Sequence, residues 1–336
     1  MNAPSSATPP TLQVRGLQTQ FTTRAGVAKA VDEVSFDVGR GQIMGLVGES
    51  GSGKSMTGYS ILGLIDPPGQ VVAGEVLLTL KDGQTLDLRR LSPKQMQHIR
   101  GNRVAMIFQD PMMTLNPVLR IDTQMIEAVQ AHFPVSKEDA KARALAALVK
   151  VGIPSPAERL VAYPHQFSGG MRQRVAIAIA MLNEPDLIIA DEPTTALDVT
   201  IQGQILSEMQ TLCRESGTAL IWITHDLSVV AGLADTVAVM YAGRIVEQGT
   251  VEQVLNQPRH PYTHGLMASS PSRNPRGQPL QQISGMTPSL LNLPIGCAFA
   301  PRCGFADKAC NPAPPLREWD GRQLRCVHPV GGEATP

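Results

Sequence analysis

Between Leu12 and Val47 apolar and polar positions alternate with period two, most clearly over Ala30-Val31-Asp32-Glu33-Val34-Ser35-Phe36-Asp37-Val38, with Gly41 as punctuation. The pattern predicts an antiparallel β region leading into a core strand at Ile43 to Val47. Unbroken apolar runs at Leu187 to Ala190 and Leu220 to Thr224, each flanked by helical periodicity, read as parallel strands covered on both faces. The core is therefore expected to be α/β. Between Gln109 and Ser168 the sequence turns Ala-, Lys- and Glu-rich, as in Lys137 to Val151, with joints at Pro154, Pro156 and Pro164. A helical insertion over about residues 110–167 fits this pattern. Thr236 to Tyr241, Ala242-Gly243 and Arg244 to Gln248 read as a hairpin closing the domain. From Asn256 onward Pro and Gly are dense and four of the five cysteines cluster, which predicts a separate, loop-rich extension. The expected organisation is a disordered leader over 1–11, a main domain over 12–255 and an extension over 256–336.

Composition narrows the class. A chain of 336 residues with 43% hydrophobic content can bury one full-sized core and carry a smaller appendage. Lys+Arg and Asp+Glu both total 29, so no global field attracts a polyanion, and no nucleic-acid partner is expected. The longest apolar run, Val175 to Leu182, has eight residues, far short of the roughly 18 that a membrane-spanning helix needs. The opening ten residues lack a basic n-region and an apolar h-region, so no secretory signal is read there. That points to the reducing cytosol, where cysteines serve as thiols or metal ligands rather than disulfides.

Gly48-Glu49-Ser50-Gly51-Ser52-Gly53-Lys54-Ser55 matches the phosphate-binding pattern G-x-x-x-x-G-K-[ST], placed after a predicted strand and at the start of a predicted helix. Its glycines let backbone N–H groups curl around phosphate oxygens. Lys54 is expected to bridge the outer phosphates and Ser55 to ligate Mg2+. The strand Leu187 to Ala190 ends in Asp191-Glu192, where Asp191 can hold Mg2+ and Glu192 can polarise the attacking water. By themselves adjacent acids at a strand end are an ordinary solvated turn. In Phe167-Ser168-Gly169-Gly170-Met171-Arg172-Gln173, Ser168 is a good N-cap and Gly169 and Gly170 expose the first N–H groups of a helix running to Leu182. Alone, this reads as a capped amphipathic helix.

Taken together, these motifs resemble those of ATP-binding-cassette nucleotide-binding domains over about Leu12 to Gly249. Phe21, the phosphate loop, Gln109, Ser168-Gly169-Gly170, Asp191-Glu192, Ala196-Leu197-Asp198 and His225 stand in that family's order. The resemblance implies a P-loop fold with an antiparallel β subdomain and a helical subdomain. It also implies a head-to-tail dimer in which Ser168, Gly169 and Gly170 of one chain close over ATP held by the other. Phe21 then stacks on adenine, or is a plain core aromatic. Gln109 senses Mg2+ and the attacking water while its loop touches a membrane subunit, and His225 contacts the γ-phosphate. One departure is visible: Met171 stands where the signature commonly has Gln.

Beyond Gly249, Pro258 to Thr263, Gly285 to Leu291 and Cys297-Ala298-Phe299-Ala300-Pro301-Arg302-Cys303 resemble the C-terminal extension of oligopeptide and dipeptide importer ATPases. This implies a peripheral protein on the cytoplasmic face of a bacterial inner membrane, working with a second ATPase subunit, two permease subunits and an extracytoplasmic solute-binding protein. Nickel, glutathione-like and opine cargoes use related subunits. Cys297, Cys303, Cys310 and Cys326 are spaced C-x5-C-x6-C-x15-C, which by spacing names no metal. The resemblance implies a [4Fe-4S] cluster on them; zinc, with His328 a spare ligand, and unligated thiols stay open. Cys213, on a predicted helix, reads as a core residue. Two rivals remain: a soluble cassette ATPase of DNA repair or translation, and a regulatory cassette that binds nucleotide without useful hydrolysis.

Overall fold

The computed structural model describes residues 9–194, 199–270, 274 and 281–331. In chain order its elements are β1 (Leu12–Thr23), β2 (Gly26–Val38), β3 (Ile43–Val47), α1 (Lys54–Leu62), β4 (Gly69–Thr79), β5 (Thr85–Asp87) and α2 (Pro93–Ile99). There follow β6 (Val104–Ile107), α3 (Ile121–Gln130), α4 (Lys137–Lys150), α5 (Pro156–Leu160), α6 (Gly169–Met181), β7 (Leu187–Asp191), α7 (Val199–Ser216) and β8 (Ala219–Thr224). The last are α8 (Leu227–Leu233), β9 (Thr236–Tyr241), β10 (Arg244–Thr250), α9 (Pro261–Ala268), β11 (Arg317–Trp319) and β12 (Arg322–Leu324). The described residues divide into two compact units, one built from 9–13, 37–43 and 76–222, the other from 14–36, 44–75 and 223–331.

In the first unit β6 and β7 pair in parallel, with Val104 opposite Leu187 and Ile107 opposite Ala190. Every residue of β7 and β8 is buried, which is why both read as unbroken apolar runs. The helical stretch between Gln109 and Ser168 forms α3, α4 and α5. Helix α4 starts at a capped turn: Ser136 Oγ accepts the Asp139 N–H at 3.0 Å, and Glu138 and Asp139 occupy the positive first turn. Asp186, fully buried just before β7, accepts the Lys81 N–H at 2.8 Å and lies 3.8 Å from Arg40 and 3.6 Å from Arg103. These partners are what make a buried carboxylate tolerable. Cys213 on α7 is fully buried, and burial pushes its thiol up to about 12, so it stays a neutral core group.

In the second unit β3 runs parallel to β9, with Met44 opposite Thr236 and Val47 opposite Val239. β9 and β10 form the expected hairpin, turning through Ala242 and Gly243 at positive φ. The extension differs from its predicted separateness. β12 pairs antiparallel with β10, Glu247 opposite Leu324, and β11 pairs with β12, so the strand order here is β11-β12-β10-β9-β3. The reason lies in a few long-range apolar contacts: Tyr262, Met267 and Phe299 enter the same core as Val47, Val239 and Tyr241. Beside a bulge in β10 the fully buried Glu247 carboxylate accepts the N–H groups of Arg259 and His260, both at 2.9 Å, and faces Arg322 at 3.1 Å. One buried acid thus seats both the start of the extension and its last strand. Among the described residues no helix is long and apolar enough to cross a membrane.

Candidate functional site

The phosphate-binding loop leaves β3 at Val47 and ends in α1. Two of its glycines are demanded by space as well as by dihedral. A Cβ on Gly48 (φ 155) would lie 2.3 Å from the Met240 carbonyl oxygen, and one on Gly53 (φ 103) 2.2 Å from that of Ala30. Gly53 is the N-cap of α1 and no side chain caps that first turn, which leaves the positive end of the helix facing the loop. Lys54 is buried, its Nζ donating to the carbonyls of Gly48 at 2.8 Å and Glu49 at 3.0 Å. Ser52 Oγ is buried without a partner, Ser55 is half-buried, and Ser50 and Gly51 are exposed. A loop wrapped around its own ammonium, with an orphaned hydroxyl and an uncapped helix start, suits a polyphosphate with Mg2+.

In the first unit, the parallel register of β6 and β7 releases Phe108-Gln109 and Asp191-Glu192 at neighbouring strand ends. Gln109 Nε2 lies 3.4 Å from Glu192 Oε2. Asp191 is buried, whereas Glu192 is half-buried and sits at φ 44, a conformation costly for a residue with a Cβ.

Ser168 caps α6, its Oγ accepting the Met171 N–H at 3.3 Å. Gly169 is exposed, and a Cβ there would meet nothing within 4 Å. Farther along α6, the buried Arg174 donates to the Gly152 carbonyl at 3.0 Å and lies 3.9 Å from Glu208 of α7, so the helix is fixed while its tip stays bare. In the second unit, His225 follows β8 on an exposed turn, and Phe21 is half-buried, its ring 2.6 Å from where a Cβ on Gly69 would stand. Ala196-Leu197-Asp198 lie outside the described residues.

Around the cysteines, Cys297 accepts N–H groups of Phe299 and Ala300, Cys303 those of Phe305 and Ala306, and Cys326 that of His328 at 3.3 Å. Burial raises all three thiols, Cys326 to about 12, and Cys326 also feels Cys297, Cys303 and Cys310 as nearby charges. Cys297, Cys303 and Cys326 thus each receive backbone N–H groups, and Cys326 senses the other three cysteines. The tightest set of donors among the described residues is a different one: Asp307, Cys310 and His328, with ligand atoms within 4.8 Å of one another. His328 Nε2 lies 2.8 Å from Asp307 Oδ1, and this bond, with the Ala309 N–H, holds the Asp307 carboxyl below its usual range.

Sequence reasoning missed three residues that touch the phosphate loop. Tyr262 OH accepts the Glu49 N–H at 2.9 Å, Thr287 Oγ1 lies 2.8 Å from Glu49 Oε2, and Arg302 grips both carboxylate oxygens, at 2.7 and 3.0 Å. The only available signal was an acid inside an anion-binding loop, which requires a nearby cation.

Comparison with known proteins places this geometry. The ABC transporter family model matches residues 31–195, and the model for the oligopeptide/dipeptide transporter C-terminal region matches 246–310. A dipeptide transport ATP-binding protein of Bacillus subtilis (strain 168) is 50% identical over 94% of this chain and 91% of its own length. The chain belongs to the ABC transporter ATPases. An oligopeptide transport ATP-binding protein of Escherichia coli (strain K12) is 44% identical over 95% of this ATPase and 93% of its own length. In fold, a dimeric ATP-binding cassette in a post-hydrolysis state with ADP and Pi superposes with a TM-score of 0.63 at 25% identity, covering 71% of this chain and 98% of that one. The cassette fold, a mixed sheet with an antiparallel sheet and helices, is thus shared.

Proposed function

We propose that this ATPase powers the import of dipeptides or oligopeptides across the cytoplasmic membrane from a peripheral position on its inner face, the main domain spanning 12–255 and the extension 256–336. The observation that carries the reading is the C-terminal match at 246–310 on the same chain as the ABC match at 31–195. Its partners are two permease subunits, a second ATPase subunit and an extracytoplasmic binding protein. Exposed Met113 and Val118, on the segment that follows Gln109, support a permease-facing role for that segment.

The phosphate loop from Gly48 to Ser55 cradles the triphosphate, with Lys54 on the outer phosphates and Ser55, Asp191 and Gln109 holding Mg2+. Phe21 stacks on adenine. Glu192, steadied by Gln109, orients or deprotonates the attacking water, and His225 contacts the γ-phosphate. Ser168, Gly169 and Gly170 act on the nucleotide of a second subunit. Attack is in line, and ADP and phosphate leave.

Cys297, Cys303, Cys310 and Cys326 are proposed to hold a [4Fe-4S] cluster. What supports this reading is the resemblance of the extension to that of oligopeptide and dipeptide importer ATPases, with four thiols in a loop-rich segment that a bound group would staple. The alternative is zinc on the same cysteines with His328 a spare ligand, and the proximity of His328 to Cys310 and Asp307 supports it. Iron, sulfide and zinc analysis of anaerobically purified protein decides, and metal-free folded protein removes both. For transport, the test is uptake by proteoliposomes of the full importer loaded with MgATP. Peptide uptake is expected, and uptake of nickel without peptide would replace the cargo assignment.

A further inference from the structure

A carboxylate inside a phosphate-binding loop opposes its own ligand. Glu49 immediately follows Gly48, and Lys54 donates to its carbonyl. Its carboxylate is neutralised by a residue 253 positions away: Arg302 Nη1 reaches Oε2 at 2.7 Å and Nη2 reaches Oε1 at 3.0 Å, a two-pronged pair. Burial alone would raise the Glu49 carboxyl, but the hydrogen bonds from Arg302 and Thr287 and the charges of Arg302 and Lys54 hold it below the usual range. Arg302 is itself restrained. Its side chain is only 5% exposed, its Nε donates to the Ser284 carbonyl at 3.0 Å, and its guanidinium lies 5.9 Å from each of the Tyr241 and Phe299 ring centres.

The backbone supports the same contact. Arg302 stands in the short turn Ala300–Arg302, closed by its own N–H on the Phe299 carbonyl at 2.9 Å and by the Cys303 N–H on that of Ala300 at 3.2 Å. Phe299 packs against Tyr241 and Tyr262, and Tyr262 OH takes the Glu49 N–H. Both the charge and the backbone donor of the loop's second residue are therefore committed to the extension.

We infer that Arg302 is a positioning residue of the ATP site: by cancelling the Glu49 charge and, with Tyr262, anchoring the open end of the phosphate loop, the C-terminal extension sets the affinity for nucleotide. The inference rests on the phosphate loop binding ATP, and goes beyond it by giving the extension a part in that binding. A removed cation leaves an uncompensated acid beside the phosphates, which weakens binding without touching the reacting atoms.

The test is MgATP binding by the purified full-length chain, with ATPase KM and kcat in the assembled transporter. Arg302→Gln should raise Kd and KM about tenfold and leave kcat within about twofold. Adding Glu49→Gln should bring Kd back to within about threefold of the parent, as should Arg302→Lys in place of Gln, because charge balance is restored. Unchanged Kd in Arg302→Gln, or a double variant as weak as the single one, overturns the proposal. If Arg302→Gln does not fold, Thr287→Val decides, since it removes one donor to Glu49 at no change of charge. A rise in Kd of about two- to threefold is expected there, and no rise overturns the inference. A parent chain that binds no MgATP would instead remove the phosphate-loop assignment itself.

Discussion

The chain carries two glycine-rich helix starts, and they are built in opposite ways. At α1 the glycines are wedged against the Met240 and Ala30 carbonyls, Lys54 is buried, and Tyr262, Thr287 and Arg302 hold the loop from outside. At α6 the tip is bare: Ser168 caps the helix and nothing stands within 4 Å of a Cβ on Gly169. Both present a positive helix end to an anion, but only the first is enclosed. A loop with its supports in place can bind by itself, whereas an open tip needs a surface brought to it. On the proposed function, the contrast fits a cassette that binds ATP by itself and needs a second copy to act on it.

Six substitutions, one of them read by a pH titration, break or sharpen that contrast. The largest effect is expected from Glu192→Gln, which should lower ATP turnover by about 10²–10³-fold in the assembled transporter while MgATP binding and dimerisation persist. Steady-state ATPase and gel filtration with ATP check it, and normal turnover would remove Glu192 from its role. Next is Arg322→Ala, which leaves the buried Glu247 charge unpaired and should destabilise the second unit by about 3–5 kcal/mol in chemical unfolding.

The glycines give the direct comparison. Gly53→Ala meets a carbonyl at 2.2 Å and a φ of 103, and should cost about 1–3 kcal/mol along with nucleotide binding. Gly169→Ala should alter stability by less than about 0.5 kcal/mol and reduce only ATP-dependent dimerisation. Equal thermal shifts in the two variants would erase the distinction drawn here.

A pH effect is expected on the enclosed side. Complete burial lowers His260 to about 3, and its Nδ1 accepts the Tyr262 N–H at 3.0 Å. Its native value lies below its unfolded value of about 6.5, so the unfolded chain binds the extra proton. The stability it confers is complete above about pH 6.5 and declines at up to about 1.4 kcal/mol per pH unit as pH falls towards 3. His260→Gln should flatten that limb in urea midpoints measured from pH 7 to 4. The smallest effect is Met171→Gln, expected to strengthen ATP-dependent dimerisation about two- to threefold by restoring a polar contact at the open tip.

Much of the fold was legible because its signals are local. β3, β7 and β8 read as apolar runs because they are buried on both faces, α6 announces its start through Ser168, and the β9–β10 hairpin shows its turn. β11 and β12 were illegible: three residues each, with Arg and Gln among them, they carry no usable period and exist because β10 offers an edge.

By itself the sequence determined the candidate chemistry: a phosphate loop, an acid pair and a capped glycine tip, each carried by residues adjacent in the chain, and four cysteines within one short segment. Tertiary structure alone decided which distant groups meet them. Arg302 with Glu49, Glu247 with Arg322 and Gln109 with Glu192 are separated by 253, 75 and 83 positions. Such pairings are set by where burial carries each segment, and no short-range pattern of apolar and polar residues encodes them.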